Sequence, residues 1–152
     1  MTPNEIGAWI TDCFGNVYPK ASWGETSFFV NPGQKLPSGA YFATLKESDG
    51  DNDRASNLNR DNVFRLNFGP VKKPFEETFG PRPARPAKGC AIEGNWDFTA
   101  FDYLMPHPVY GWMGWMCILN PTEKTFRKIE PLLYAAYDKA LLTVEKRLEK
   151  LT

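Results

Sequence analysis

Apolar residues recur every three or four positions at the two ends of the chain. Ile6, Trp9, Ile10 and Cys13 share one helical face, with Thr2 placed to cap it, Pro3 in its first turn, Glu5 to close a capping box and Gly15 to end it. Phe126, Ile129, Leu133, Ala136, Ala140, Val144 and Leu148 trace a longer stripe. Asn120-Pro121-Thr122-Glu123 introduces it with the same grammar: Asn120 as cap, a proline, then an acid. Pro131 lies inside this stripe, and an interior proline costs ~3 kcal/mol, so a kink or break is expected near residues 127–131.

Between these ends the period shortens to two. Val17 to Lys20 and Thr26 to Asn31 predict a hairpin, and Ala40 to Lys46 a third strand. Residues 63–68 alternate strictly: Val63, Arg65 and Asn67 fall on one face, Phe64, Leu66 and Phe68 on the other. Residues 111–119 are all apolar or glycine, which predicts a strand covered on both faces. Its two glycines mark a bulge or a close backbone approach. Residues 71–79 predict a short helix presenting Val71, Phe75 and Phe79; residues 80–89, with three prolines and two glycines, form an exposed basic connector. Residues 95–105 predict an irregular turn or short helix. Together these elements define an α+β fold, one domain over residues 1–152, with an antiparallel sheet packed against N- and C-terminal helices. Two irregular stretches remain, the polar loop 47–62 and the turn 106–110. If both reach the same sheet edge, they form a pocket.

Charge and cysteine content narrow the function. Eighteen basic and eighteen acidic side chains cancel, which disfavours nucleic acid as a partner. The one candidate polyanion patch is residues 54–88, with eight basic against three acidic side chains. Cys13, Cys90 and Cys117 form no C-x-x-C pair and read as reduced thiols, Cys117 as packing and Cys90 as the more reactive. No stretch approaches the ~18–20 apolar residues of a membrane span and the start of the chain does not read as a signal peptide, so a soluble cytoplasmic protein is expected.

No metal or cofactor is expected. Asp49-x-Asp51-x-Asp53 opens like a calcium loop, but Arg54 stands where that loop needs glycine and Arg60 where it needs a bidentate acid. Walker and dinucleotide glycine fingerprints are missing. His107, the single histidine, titrates in the right range for a general base; otherwise it closes the turn between Pro106 and Pro108 by bonding backbone. Tyr110 and Trp112 flank that turn, whereas Phe42 and Trp115 read as core. Arg54, Arg60 and Arg65 are placed to reach an anionic group, or, for Arg65, to pair with a carboxylate of the 47–62 loop and pin it. The leading expectation is a non-catalytic binding module for a small anionic ligand or a protein partner, monomeric or homodimeric. Arg54, Arg60, Arg65, His107, Tyr110 and Trp112 line its site. The catalytic alternative uses His107 as acid or base, with Asp51 or Asp53.

The order of elements, with residues 110–119 followed by Leu132-Leu133-Tyr134-Ala135-Ala136-Tyr137, resembles the MmcQ/YjbR-like domains. That resemblance implies a CyaY-like fold and, as a further alternative, a winged nucleic-acid-binding domain using residues 54–88. Over almost the whole chain the sequence resembles an uncharacterised bacterial domain-of-unknown-function family. The residues that carry this are Tyr41-Phe42-Ala43-Thr44, residues 53–60 and 63–69, His107-Pro108-Val109-Tyr110-Gly111-Trp112 and Leu119-Asn120-Pro121. Membership implies no activity.

Overall fold

A computed structural model describes all residues, 1–152. Helix α1 (Pro3–Cys13) begins with the capping box, Thr2 accepting from the Glu5 amide and Glu5 from the Thr2 amide. Strands β1 (Val17–Ser22) and β2 (Glu25–Val30) form a hairpin closed by Trp23 and Gly24. Both turn residues have positive φ, 51° and 75°, the two-residue geometry that matches strand twist. Strands β3 (Ala40–Lys46) and β4 (Arg65–Phe68) follow, then helix α2 (Lys72–Phe79), strands β5 (Met105–Pro106) and β6 (Met116–Leu119), and helix α3 (Glu123–Glu149). The six strands pair antiparallel in the order β1-β2-β3-β4-β6-β5. This is the expected α+β arrangement.

Strand alternation divides the sheet into two chemically different faces. Phe28, Ala43, Leu45, Leu66, Phe68, Met116 and Ile118 point to one face, where Ile6 and Ile10 of α1 and the stripe Phe126, Ile129, Leu133, Ala136, Ala140 and Val144 of α3 bury them. The other face carries a smaller apolar cluster of Leu58, Val63, Ile92, Phe98, Met105, Cys117 and Leu119, roofed by residues 47–62 and 80–104. Polar side chains fill the rest of it.

Three expectations change in detail, and one open alternative is decided. The strand anticipated at 111–119 starts only at Met116, because Gly111–Met113 make a 3₁₀ turn and Gly114, at φ 94°, redirects the chain. Gly114 sits where the backbone of Lys72 approaches closely; a Cβ there would lie 3.2 Å from Lys72 Cα. The long helix runs unbroken through Pro131, since the buried stripe on both sides of the proline holds it on the sheet. Thr122, not Asn120, caps it, accepting from the Thr125 amide. Asn120 instead bridges to the start of β4, accepting from the Phe64 amide and donating to the Asn62 carbonyl. For residues 95–105 the turn alternative holds: they form turns without a helix and end in β5.

Candidate functional site

On the second face two rows of side chains cross the sheet in register. One runs Ser27, Thr44, Asn67, Cys117 and Met105; the other runs Glu25, Lys46, Arg65 and Leu119. Each row starts polar at β2 and turns apolar at β6, so the polar groups of β2, β3 and β4 must satisfy one another or face solvent. Arg65, fully buried, is their hub. Its Nη1 donates to Asp53 Oδ1 (3.0 Å) and Ser56 Oγ (2.9 Å), its Nη2 to Asp53 Oδ2, and its Nε to Asn67 Oδ1 (2.7 Å). Asn67 in turn donates to Thr44 Oγ1 at 2.9 Å. Burial works to raise the Asp53 pKa, but the hydrogen bonds and charge of Arg65 outweigh it and hold the carboxyl below its usual range. Burial likewise opposes the charge on Arg65, and the same carboxylate more than restores it. Asp53 thereby ties the 47–62 loop to β4.

His107 completes this cluster from the opposite side. Its Nδ1 accepts two backbone N–H groups, from Val109 (3.1 Å) and Tyr110 (3.0 Å), which fixes the ring in the turn. Burial first, then the Arg65 charge, hold its pKa well below the ordinary 6.5, so the imidazole is neutral. A neutral imidazole has one proton, and a nitrogen that accepts two amides does not carry it. The proton is therefore on Nε2. That N–H lies 3.3 Å from Arg65 Nη2, itself a donor, and two donors make no hydrogen bond. His107 Nε2–H thus has no acceptor within the chain.

A cleft of about 130 Å³ opens on this ring, lined by Glu25, Ser27, Tyr41, Thr44, Asn67, His107, Tyr110 and Trp115. Tyr41 reaches it through a bulge. Phe28 pairs with Ala43 and Phe29 with Tyr41, so Phe42 is the extra residue between them. The bulge sends Phe42 into the main core and turns Tyr41 to the polar face, where its ring lies 5.5 Å from that of Trp115. Burial, with Tyr110 and Glu25 near it, raises the Tyr41 pKa, so its phenol is protonated. Tyr110 packs against His107 with ring centroids 5.0 Å apart.

The six residues singled out from the sequence fall into separate places. Arg65, His107 and Tyr110 adjoin one another at this cleft. Arg65 stands behind it, four of its five N–H donors taken up by Asp53, Ser56 and Asn67. Trp112 lines a different cavity of about 310 Å³ with residues 85–90, under a cation–π contact from Arg85 at 5.0 Å; Tyr110 borders both. Arg60 clips loops together, donating to the carbonyls of Ser56, Asn57 and Thr99 and lying over the Phe101 ring. Arg54 is exposed, 3.9 Å from Asp51. Within the basic stretch 54–88, Arg65 is buried, Arg60 is engaged and Arg82 pairs with Glu76. Sequence reading missed Glu25, Ser27, Tyr41, Thr44 and Asn67. Polar residues alternating on three neighbouring strands, at 25/27, 44/46 and 65/67, were the available signal; the bulge that aims Tyr41 had none.

No helix is long and apolar enough to cross a membrane, and no group of three or more His, Cys, Asp or Glu side chains is gathered as for a metal ion. Cys117 is buried, its thiol pushed up to about 12, and Cys13 and Cys90 are exposed. The chain has an α+β fold whose sheet has one largely apolar face and one face that is part apolar and part polar, the polar part built round a buried arginine. The chain belongs to a family of unknown function, DUF6194, whose model matches residues 1–149. No curated protein and no solved structure matches it.

Proposed function

We propose that the protein is a non-catalytic binding module whose cleft on the polar face takes a small ligand presenting an anionic or carbonyl oxygen to His107. The observation that carries this reading is the pair of amides on His107 Nδ1, which leaves the proton on a buried Nε2 facing only another donor: a desolvated donor without an acceptor costs about 1–3 kcal/mol, and an occupant supplying an oxygen recovers it. Around that donor the hydroxyls of Ser27, Tyr41 and Tyr110 make no hydrogen bond within the chain, so they too are available to the occupant. Both ring nitrogens of His107 are committed, Nδ1 as acceptor and Nε2 as donor. With no free lone pair to take a proton, the ring supports binding in preference to general-base chemistry.

The test is native mass spectrometry of the full chain incubated with an equimolar mixture of two- to five-carbon carboxylic, hydroxy and amino acids. Wild-type protein retains a mass excess over the 17.3 kDa chain that is lost on denaturation. Ser27→Leu fills the cleft from a half-buried strand position and abolishes that excess without unfolding the sheet. Equal adducts on parent and variant, or none on the parent, refute the assignment.

A further inference from the structure

Granting that this cleft is the binding site, we infer that its ligand is a small zwitterion of the amino-acid class. Its ammonium group sits against Glu25 and its carboxylate oxygen on His107 Nε2–H. Three observations support this ligand class, the first of them for the ammonium end. First, Glu25 lines the cleft, and its carboxylate accepts no hydrogen bond from the chain; its cationic neighbour, Lys46 Nζ, is 3.8 Å away, beyond hydrogen-bond reach. An ammonium delivered to it forms a charge-assisted bond that Lys46 does not. The aromatic rings of Tyr41 and Tyr110 flank the same space and are suited to a cation.

Second, the charges around the cleft already balance. Glu25, Lys46 and Arg65 stand in line across β2, β3 and β4, and Asp53 neutralises Arg65, while His107 is uncharged. A ligand with net charge of either sign leaves one charge uncompensated in a partly buried site, whereas a zwitterion adds a pair and matches Glu25 at one end and a hydrogen-bond donor at the other. Third, the space is small. About 130 Å³ is well under the ~300–1,000 Å³ of sites for larger ligands, and at ~10–15 Å³ per water-sized position it holds on the order of ten heavy atoms.

The experiment is a titration of ¹⁵N-labelled full-length protein followed by NMR, with glycine, alanine and serine as zwitterions, acetate as the acid alone and ethylamine as the amine alone. The zwitterions shift the His107 imidazole and the Tyr41 and Tyr110 amides saturably, and at least about tenfold more tightly than acetate or ethylamine. Glu25→Gln, whose dispersed spectrum reports an intact fold, removes that advantage without weakening the acetate response, because the change takes a negative charge out of the cleft and leaves Lys46 without its partner. If acetate binds as tightly as the amino acids, or Glu25→Gln binds them like the parent, the ligand class is wrong and the cleft stands as an oxygen-acceptor site. If no compound perturbs these residues, both the ligand class and the cleft assignment fail.

Discussion

The guanidinium of Arg65, on the central strand β4, is gripped through two parallel hydrogen bonds by the carboxylate of Asp53, twelve residues earlier in a surface loop. No part of the arginine reaches solvent, while the aspartate is partly exposed. Removing the carboxylate leaves a buried, unpaired cation; removing the guanidinium strips Ser56 and Asn67 of their donor and frees the loop. Asp53→Ala and Arg65→Met therefore each lower stability by about 3–5 kcal/mol in urea unfolding. The double variant loses well under the sum, because the second change no longer strands a charge. Additive losses are incompatible with a directly coupled pair.

Acid sensitivity follows from His107. Its folded pKa lies below the unfolded 6.5, so between the two values the unfolded chain binds a proton that the native ring refuses. Stability is therefore complete above pH 6.5 and falls as pH drops through that window, with a slope of up to about 1.4 kcal/mol per pH unit. Asp53, whose folded pKa is also depressed, adds a second loss of the same sign below 3.8. Because His107 is the single histidine, the first loss belongs to it alone. Urea midpoints measured from about pH 7.5 down to about pH 5 decline in the parent and stay nearly flat in His107→Gln. A parallel decline in both proteins contradicts a buried neutral imidazole.

The elements of this fold were legible where one physical rule dominated. The Thr2 capping box, the α3 stripe and the alternation through Arg65 and Asn67 each depend on periodicity within a few residues. The same alternation, together with the acidic loop before it, pointed to Arg65 pinning that loop, and His107 bonding backbone was legible from the prolines around it. What could not be read depends on residues far apart in the chain. Asn120 looks like a cap from its neighbours, yet it bonds the Phe64 amide across 56 positions. The bulge at Phe42 follows from the register with β2, and it alone decides that Tyr41 faces the cleft. Arg54, Arg60 and Trp112 were grouped with His107 on chemistry; the folded chain sends each to a different partner.

Gly114 is the hinge between the turn that carries Tyr110 and the strand that carries Cys117. Its φ of 94° disfavours any side chain, and a Cβ would stand 3.2 Å from both Lys72 Cα and N, backbone atoms that have little room to move. Gly114→Ala lowers stability by about 1–3 kcal/mol. The Val71 amide, which donates to the Gly114 carbonyl at 3.0 Å, exchanges with solvent faster in the variant than amides of β2 and β3 do. An alanine variant with parent-like stability and exchange contradicts the close approach.

Pro131 is the one feature of α3 that works against it. The residue is exposed, eight positions into the helix, and its ring nitrogen has no proton to give the Arg127 carbonyl. The helix persists because Phe126 and Ile129 before the proline and Leu133 and Ala136 after it are all buried in the same core, so a break would withdraw one half of the stripe from the sheet. Since the ring is on the solvent side, replacing it sacrifices no burial. Pro131→Ala restores the donor, removes the steric conflict with the preceding turn and raises stability by about 1–2 kcal/mol, less than the full ~3 kcal/mol propensity difference because the unfolded chain also gains freedom. Thermal and urea unfolding both report it. A loss of stability on this change assigns Pro131 a structural contribution that its exposure does not reveal.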